Sequence, residues 1–285
     1  MTERLAQTER RIENLRQLDA VVAAMRGIAA SRAQQAHGLL PGVRAHTSVI
    51  ARAIGQALAL VSQEQHSARA KVPRTAVILF CAEQGFTGAF SDRMLETVKK
   101  ITVPHDLFLV GTRGAMLADE RGISLAWRAA MVPHANLVPA LAGRIADALY
   151  AWLSDLAAHR VEVIVPTVPA SGGVASERRS LLPFDFRRFP VPLSGQPPLI
   201  TLPPSLLLSR LAEEYVFAEL CEAALTAFAA ENEARVAAML AAKDNLQDMQ
   251  SGLQAFERQI RQEEITVEVV ELATVAVSAE ALSAR

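Results

Sequence analysis

The chain has 285 residues, with 29 basic against 30 acidic side chains and a net charge of -1, a balance that argues against a nucleic-acid binder, whose footprint on phosphates needs clustered excess Lys and Arg. At 51% hydrophobic and 21% charged, it can bury a sizeable core and is not a disordered polyelectrolyte. Two cysteines, Cys81 and Cys221, are too few and too far apart for a disulfide framework or a zinc site, and read as ordinary buried thiols in a reducing compartment.

An N-terminal arm comes first, residues 1–65. Its charged start, MTERLAQTERRIENLRQ, lacks the apolar centre of a secretory signal, and no window holds the roughly 18 apolar residues of a membrane span. These features predict a cytoplasmic protein. From Thr2 to Leu40 the segment is free of proline and carries Leu5, Ile12, Leu15, Leu18, Val22, Met25 and Ala29 on one helical stripe. Pro41-Gly42 predicts a kink or break near 41, with helix resuming from Val43 to about Gln65.

The pattern then changes to a central α/β domain, residues 74–166. TAVILF (Thr75 to Phe80), DLFLV (Asp106 to Val110) and VEVIV (Val161 to Val165) are short, β-branched and apolar. Amphipathic helices are expected between them at Ser91 to Ile101, Arg113 to Arg121 and Asn136 to His159. Alternating strands and helices predict a small, Rossmann-like, mostly parallel sheet. Residues 167–204 hold most of the nine prolines counted from Pro166 to Pro204 and read as an irregular return segment.

The last element, residues 205–285, has Gly252 as its one glycine and no proline, which calls for a coiled coil or helical repeat. Leu225, Phe228, Asn232, Arg235, Met239, Ala242, Leu246, Met249, Leu253, Phe256, Ile260, Glu263, Val267 and Val270 alternate three and four apart, the seam of a left-handed coiled coil. The N-terminal arm is its natural antiparallel partner. Arms of roughly 64 and 81 residues at about 1.5 Å per residue leave an overhang of roughly 25 Å. That tip carries Val267, Val269, Val270, Leu272, Val275, Val277 and Leu282, an apolar surface that predicts burial in another protein.

Chemistry is harder to find. Gly85 and Gly88 in CAEQGFTGAFS sit between a strand and a helix, where backbone amides could cradle a phosphate. There is neither a third glycine nor GK[ST], so the dinucleotide and P-loop fingerprints are unmet, and a tight turn explains the glycines as well. Gly111 and Gly114 pose the same choice. The six histidines show no metal-ligand spacing, no GxSxG motif appears, and the carboxylates Glu263, Glu264, Glu268 and Glu271 read as a solvated helix face. No active site, metal or cofactor is expected.

Several blocks resemble the gamma subunit of the F-type ATP synthases, the central rotor shaft. RRIENLRQLDAVVAAMRGIAASR is similar to that family's basic helix with its AM and AAS(K/R) elements, here Ala24-Met25 and Ala29-Ala30-Ser31-Arg32. ENEARVAAMLAAKDN (Glu231 to Asn245) resembles its SExxxRMxAMxxAxxNA block, and RQEEITVEVVEL (Arg261 to Leu272) its RQxxITxExxEI signature. CAEQGFTGAFS is similar to the SDRGLCGxxN loop, and SLLPF to an LLP element. Val236, Leu246, Glu83-Gln84 and the ATVAVSAEAL end depart from the pattern, which marks a divergent member.

The resemblance implies a non-catalytic subunit of a two-sector ATPase on the cytoplasmic face of the membrane. Its partners would be alpha and beta subunits of the catalytic ring, an epsilon subunit and a c-ring. Partner contacts are implied at Met25, Arg26 and Arg32 of the first arm, and at Arg235, Met239, Arg261, Gln262 and Thr266 of the second. Helical spacing alone makes Met25 and Met239 core residues as readily as contacts. The competing reading is a free-standing α/β phosphate- or nucleotide-binding protein with helical dimerisation arms; a third is a scaffold coiled coil that self-associates along the 225–270 seam.

Overall fold

The computed structural model describes residues 2–60, 74–154, 159–169, 173–185, 188–189 and 198–283. Two long helices open and close the chain, α1 (Thr2–Leu58) and α5 (Pro204–Ser283). Between them come β1 (Arg74–Phe80), α2 (Phe90–Lys99), β2 (His105–Val110), α3 (Thr112–Glu120), β3 (Trp127–Ala129), α4 (Val138–Ser154), β4 (His159–Thr167) and β5 (Ala175–Leu182). The expected arm end at 65, the proline-rich stretch at 190–197, and the side chains of Val275, Val277 and Leu282 lie outside the described residues. Contacts divide the chain into two compact units, one of residues 28–237 and one of residues 1–27 with 238–285.

In the first unit the strands form one sheet of order β3-β2-β1-β4-β5. β1 pairs parallel with β2 and β4, and β2 parallel with β3. Alternation splits β1 between two layers: Ala76, Ile78 and Phe80 pack with α4, α1 and α5, while Val77 and Leu79 pack with α2 and α3. Burial on both faces explains why these strands are continuous apolar runs. β4 and β5 are antiparallel, so residues expected to be irregular include an edge strand. Its exposed ASERRSLL pattern has few apolar positions, and Arg178 is tied by an ion pair to Glu162, a buried carboxylate of β4.

Along α5, residues 215–235 are buried or half-buried on every side, as a helix must be when enclosed by both a sheet and another helix. Leu220, Ala224 and Phe228 join the α1 and α4 layer, and Ala230 and Ala234 the α2 and α3 layer. Ala29, Ala33 and Ala36 of α1 are buried, and small side chains let helix backbones approach closely. Polar links between α1 and α5 run in opposite chain directions: His37 to Glu233 at 2.6 Å, Arg44 to Glu222 at 3.0 Å and His46 to Glu214 at 3.0 Å. At the base, Phe184, Phe189 and Tyr215 pack edge to face beside Ile50 and Ile54.

Pro41 was expected to kink or break the first arm; α1 passes through it as one helix, so the chain does not break there. Pro41 is exposed, so water can satisfy the carbonyl that loses its donor, and Ala36, Leu40 and Ile50 anchor both sides. The stripe read for this arm also needs correction. Leu18 is 52% exposed, and the inward-facing positions are Thr8, Ile12, Leu15, Asp19, Val22, Arg26, Ala29 and Ala33, still three and four apart.

The second unit is the antiparallel coiled coil proper. Arg261 reaches Glu9 at 2.8 Å, while Leu15 and Arg11 line one recess of about 550 Å³ with Met249, Gly252 and Leu253. Gly252 contributes no side chain there, and its Cβ would meet nothing within 4 Å. Ile260 and Met239 are buried seam residues; Met249 and Phe256, also expected in the seam, are exposed.

Candidate functional site

Two places compete. In the α/β unit, the crevice at the carboxyl end of β1 is where parallel sheets receive ligands, because strand order reverses there between β2 and β4. The loop that could cradle a phosphate runs from Cys81 to Ala89, and the amides of Cys81, Ala82 and Gln84 already have acceptors. The Ala82 amide donates to Ser91 Oγ at 3.1 Å, and the Gln84 amide to Glu231 Oε1 at 3.4 Å. The Thr112 amide, at the start of α3, donates to Glu83 Oε2 at 2.9 Å; Met131 N–H reaches the same oxygen at 2.8 Å, and the Thr112 hydroxyl reaches Glu83 Oε1 at 2.7 Å. An anion arriving here would meet two fixed carboxylates, Glu83 and Glu231, whose charge opposes it.

The glycines have a packing explanation. A Cβ on Gly114 would lie 2.0 Å from Cys81 Cβ, and one on Gly111 would lie 2.4 Å from the Cys81 carbonyl oxygen, at a φ of +116° that disfavours other residues. They let α3 close onto β1. α5 then seals the crevice. Arg235 Nη2 donates to Glu231 Oε1 at 2.6 Å, its Nη1 to Asn232 Oδ1 at 3.1 Å, and its Nε to the Gly85 carbonyl at 3.4 Å. Glu231, Asn232 and Arg235 are all buried, so the polar interruption of the seam is a filled network rather than a vacant site. Burial, with the charges of Glu231 and Asp92, pushes the Cys81 thiol well above its ordinary range. Cys221 is pushed up to about 11 by burial and Glu214. Both stay neutral and poorly nucleophilic.

In the coiled-coil unit the other candidate is a surface. Past buried Ile260, α5 presents Arg261, Gln262 and Thr266, all exposed. Arg261 also bonds Glu257 at 2.7 Å, and the Thr266 hydroxyl donates to the Gln262 carbonyl at 2.8 Å. Around them Ile265, Val267, Val269, Val270 and Leu272 are exposed, Leu272 by 70%. Apolar groups standing this densely in water mark an interface.

The residues expected to touch partners therefore separate. Arg261, Gln262 and Thr266 are exposed; Met25, Arg26 and Arg32 are half-buried; Arg235 and Met239 are buried within this chain. Glu83 and Glu231 were not singled out as functional. The spacing of Glu231 and Arg235, four apart on one helix face, carried the signal for one of them. Among the described residues no group of three or more His, Cys, Asp or Glu is placed to hold a metal, and no described helix is long and apolar enough to cross a membrane.

The sequence profile of the family described as ATP synthase matches residues 4–282. The chain is 26% identical over 288 residues to the ATP synthase gamma chain of Frankia casuarinae, covering 95% of this chain and 96% of that one. It is 27% identical to the ATP synthase gamma chain of Acidothermus cellulolyticus, covering 92% and 93%. Its fold is similar to a chain of the Euglena gracilis mitochondrial ATP synthase OSCP/F1/c-ring structure, with a TM-score of 0.63, 10% identity, and coverage of 99% and 96%. It is also similar to a chain of the Tetrahymena thermophila mitochondrial ATP synthase central stalk and c-ring structure, with a TM-score of 0.58, 17% identity, and coverage of 78% and 99%.

Proposed function

This chain belongs to the ATP synthase family, in its gamma-chain branch, and we propose that it works as the central-stalk subunit that couples ion translocation to ATP synthesis or hydrolysis. It is a subunit of an ATPase complex. In our reading it carries no catalytic group of its own, and nucleotides turn over on partner alpha and beta subunits. An epsilon subunit and a c-ring bind its α/β unit, and the assembly sits on the cytoplasmic face of the membrane. The arms 1–65 and 205–285 serve as the coiled coil around the α/β domain 74–166.

The observation that carries this reading is the apolar, exposed end of α5 with Arg261, Gln262 and Thr266 beside it. Such a surface, entering a ring of alternating subunits, meets each catalytic subunit through different contacts. Only a difference in contact free energy between open and closed states can shift a subunit from one to the other. The alternative, a free-standing nucleotide binder using Gly85 to Gly88, is disfavoured by the carboxylates beside that loop: Glu231 takes the Gln84 amide, and Glu83 takes the Thr112 amide at the start of α3.

The test is reconstitution with alpha and beta subunits. The chain is expected to co-purify at one copy per ring. Replacing Arg261 and Gln262 together by Ala is expected to lower ATP turnover by about tenfold, the effect of roughly 1.4 kcal/mol lost at a contact, while the isolated chain stays folded and loses no more than the exposed Arg261–Glu9 pair contributes, about 0.2–1 kcal/mol. Unaltered turnover would remove these residues from the interface.

A further inference from the structure

Both tryptophans of the chain line one open recess of about 590 Å³ between β3 and α4. Phe108 of β2, itself buried, lies beneath them, its ring centroid 6.1 Å from that of Trp127 and 6.3 Å from that of Trp152. The Trp152 indole N–H donates to Asp106 Oδ2 at 2.9 Å, which fixes that ring's orientation. Ala148 and Ala151 also line the recess, and side chains this small leave it open. The volume falls within the roughly 300–1,000 Å³ of small-molecule sites.

Charged groups complete the lining. Arg128 gives one N–H to Asp119 at 3.0 Å, and Arg144 gives one to the Ala130 carbonyl at 3.4 Å. A guanidinium has five donors in a planar fork, so both exposed arginines keep donors for a further acceptor. Asp147, on α4 beside Arg144, is an exposed acceptor. Aromatic faces suit a flat ring, guanidiniums with donors to spare suit an anion, and an exposed carboxylate suits an N–H donor. We propose that this recess binds an amino-substituted aromatic anion, the chemistry an aminopurine nucleotide shares with an aminoaryl carboxylate, with the ring against Trp127 and Trp152, the anion on Arg128 and Arg144, and the ring amine on Asp147. The proposal does not depend on the central-stalk reading, and the site is separate from the crevice that Glu231 fills.

Because no other tryptophan exists, indole emission of the full-length chain reads the recess directly. Titration with ADP is expected to give saturable quenching. Adenosine, without the charge-assisted bonds, is expected to bind roughly tenfold more weakly, and inorganic phosphate alone to leave emission unchanged. 4-Aminobenzoate separates the anion's source: saturation by it but not by ADP assigns the arginines to a carboxylate ligand of the same chemistry. Arg144→Ala is expected to weaken ADP roughly tenfold, one charge-assisted contact, at constant melting temperature. Asp147→Asn should erase the preference for ADP over inosine diphosphate, which lacks the amine. No saturable response to ADP or 4-aminobenzoate, or an ADP response untouched by Arg128→Ala with Arg144→Ala, overturns the proposal.

Discussion

Within α5, residues 215–235 and residues 261–272 are both helical and both carry apolar side chains, yet the first stretch is buried and the second stands in solvent. Composition separates them in part, with 14 apolar residues of 21 in the first and 5 of 12 in the second; what surrounds them does the rest. In the α/β unit a sheet and another helix enclose the first stretch, so even Glu231 and Arg235 must find partners inside the chain. In the coiled-coil unit the second stretch leaves Ile265, Val267, Val269, Val270 and Leu272 exposed. The lesson is that exposed apolar side chains on a helix are evidence of partners when another stretch of the same helix buries its own.

The sharpest way to break that contrast is to remove one half of the buried ion pair. Arg235→Ala leaves Glu231 as an uncompensated buried carboxylate and is expected to cost about 3–5 kcal/mol in denaturant unfolding. Pairing it with Glu231→Gln should recover part of that loss, and a neutral Arg235→Ala would mean the network is wet. Leu220→Ala, at a fully buried position, is expected to cost about 2–5 kcal/mol. Its counterpart Leu272→Ala should change stability by less than about 0.5 kcal/mol, with its effect confined to assembly with the ring. Arg261→Ala removes an exposed pair with Glu9, expected to matter by about 0.2–1 kcal/mol in the isolated chain and to fade with salt.

Much of this was legible beforehand. TAVILF, DLFLV and VEVIV each became a strand within a residue or two of the expected bounds, because strands buried on both faces write themselves as unbroken apolar runs. β5 was missed because an edge strand needs little apolar content, and Arg178 gains its place from Glu162 across the sheet, a partner no local pattern reveals. The α1 stripe held at Leu5, Ile12, Leu15, Val22 and Ala29 and failed at Leu18, which faces out while Asp19 is half-buried. Apolar counting follows side-chain type, whereas the coiled coil follows spacing. The exposed positions at Arg261 and Gln262 were readable from their flanking of Ile260, but the capture of the Thr112 amide by Glu83 and of the Gln84 amide by Glu231 was not, since those contacts span 29 and 147 residues.

The smallest effect tests the base of the α/β unit instead of its middle. Tyr215 packs edge to face with Phe184 and Phe189, and burial, reinforced by Glu219, pushes its phenol from 10.0 up to about 12. A raised phenol is neutral in the folded chain at a pH where the unfolded chain has already lost the proton. Its contribution is therefore intact below pH 10 and lost as pH climbs through 10 toward about 12, because unfolding then releases a proton. Tyr215→Phe should flatten that part of the stability profile while leaving stability at pH 7 little changed. If the wild-type chain and the variant fall together above pH 10, the base cluster is more hydrated than its burial indicates, and the buried half of the contrast ends above Tyr215.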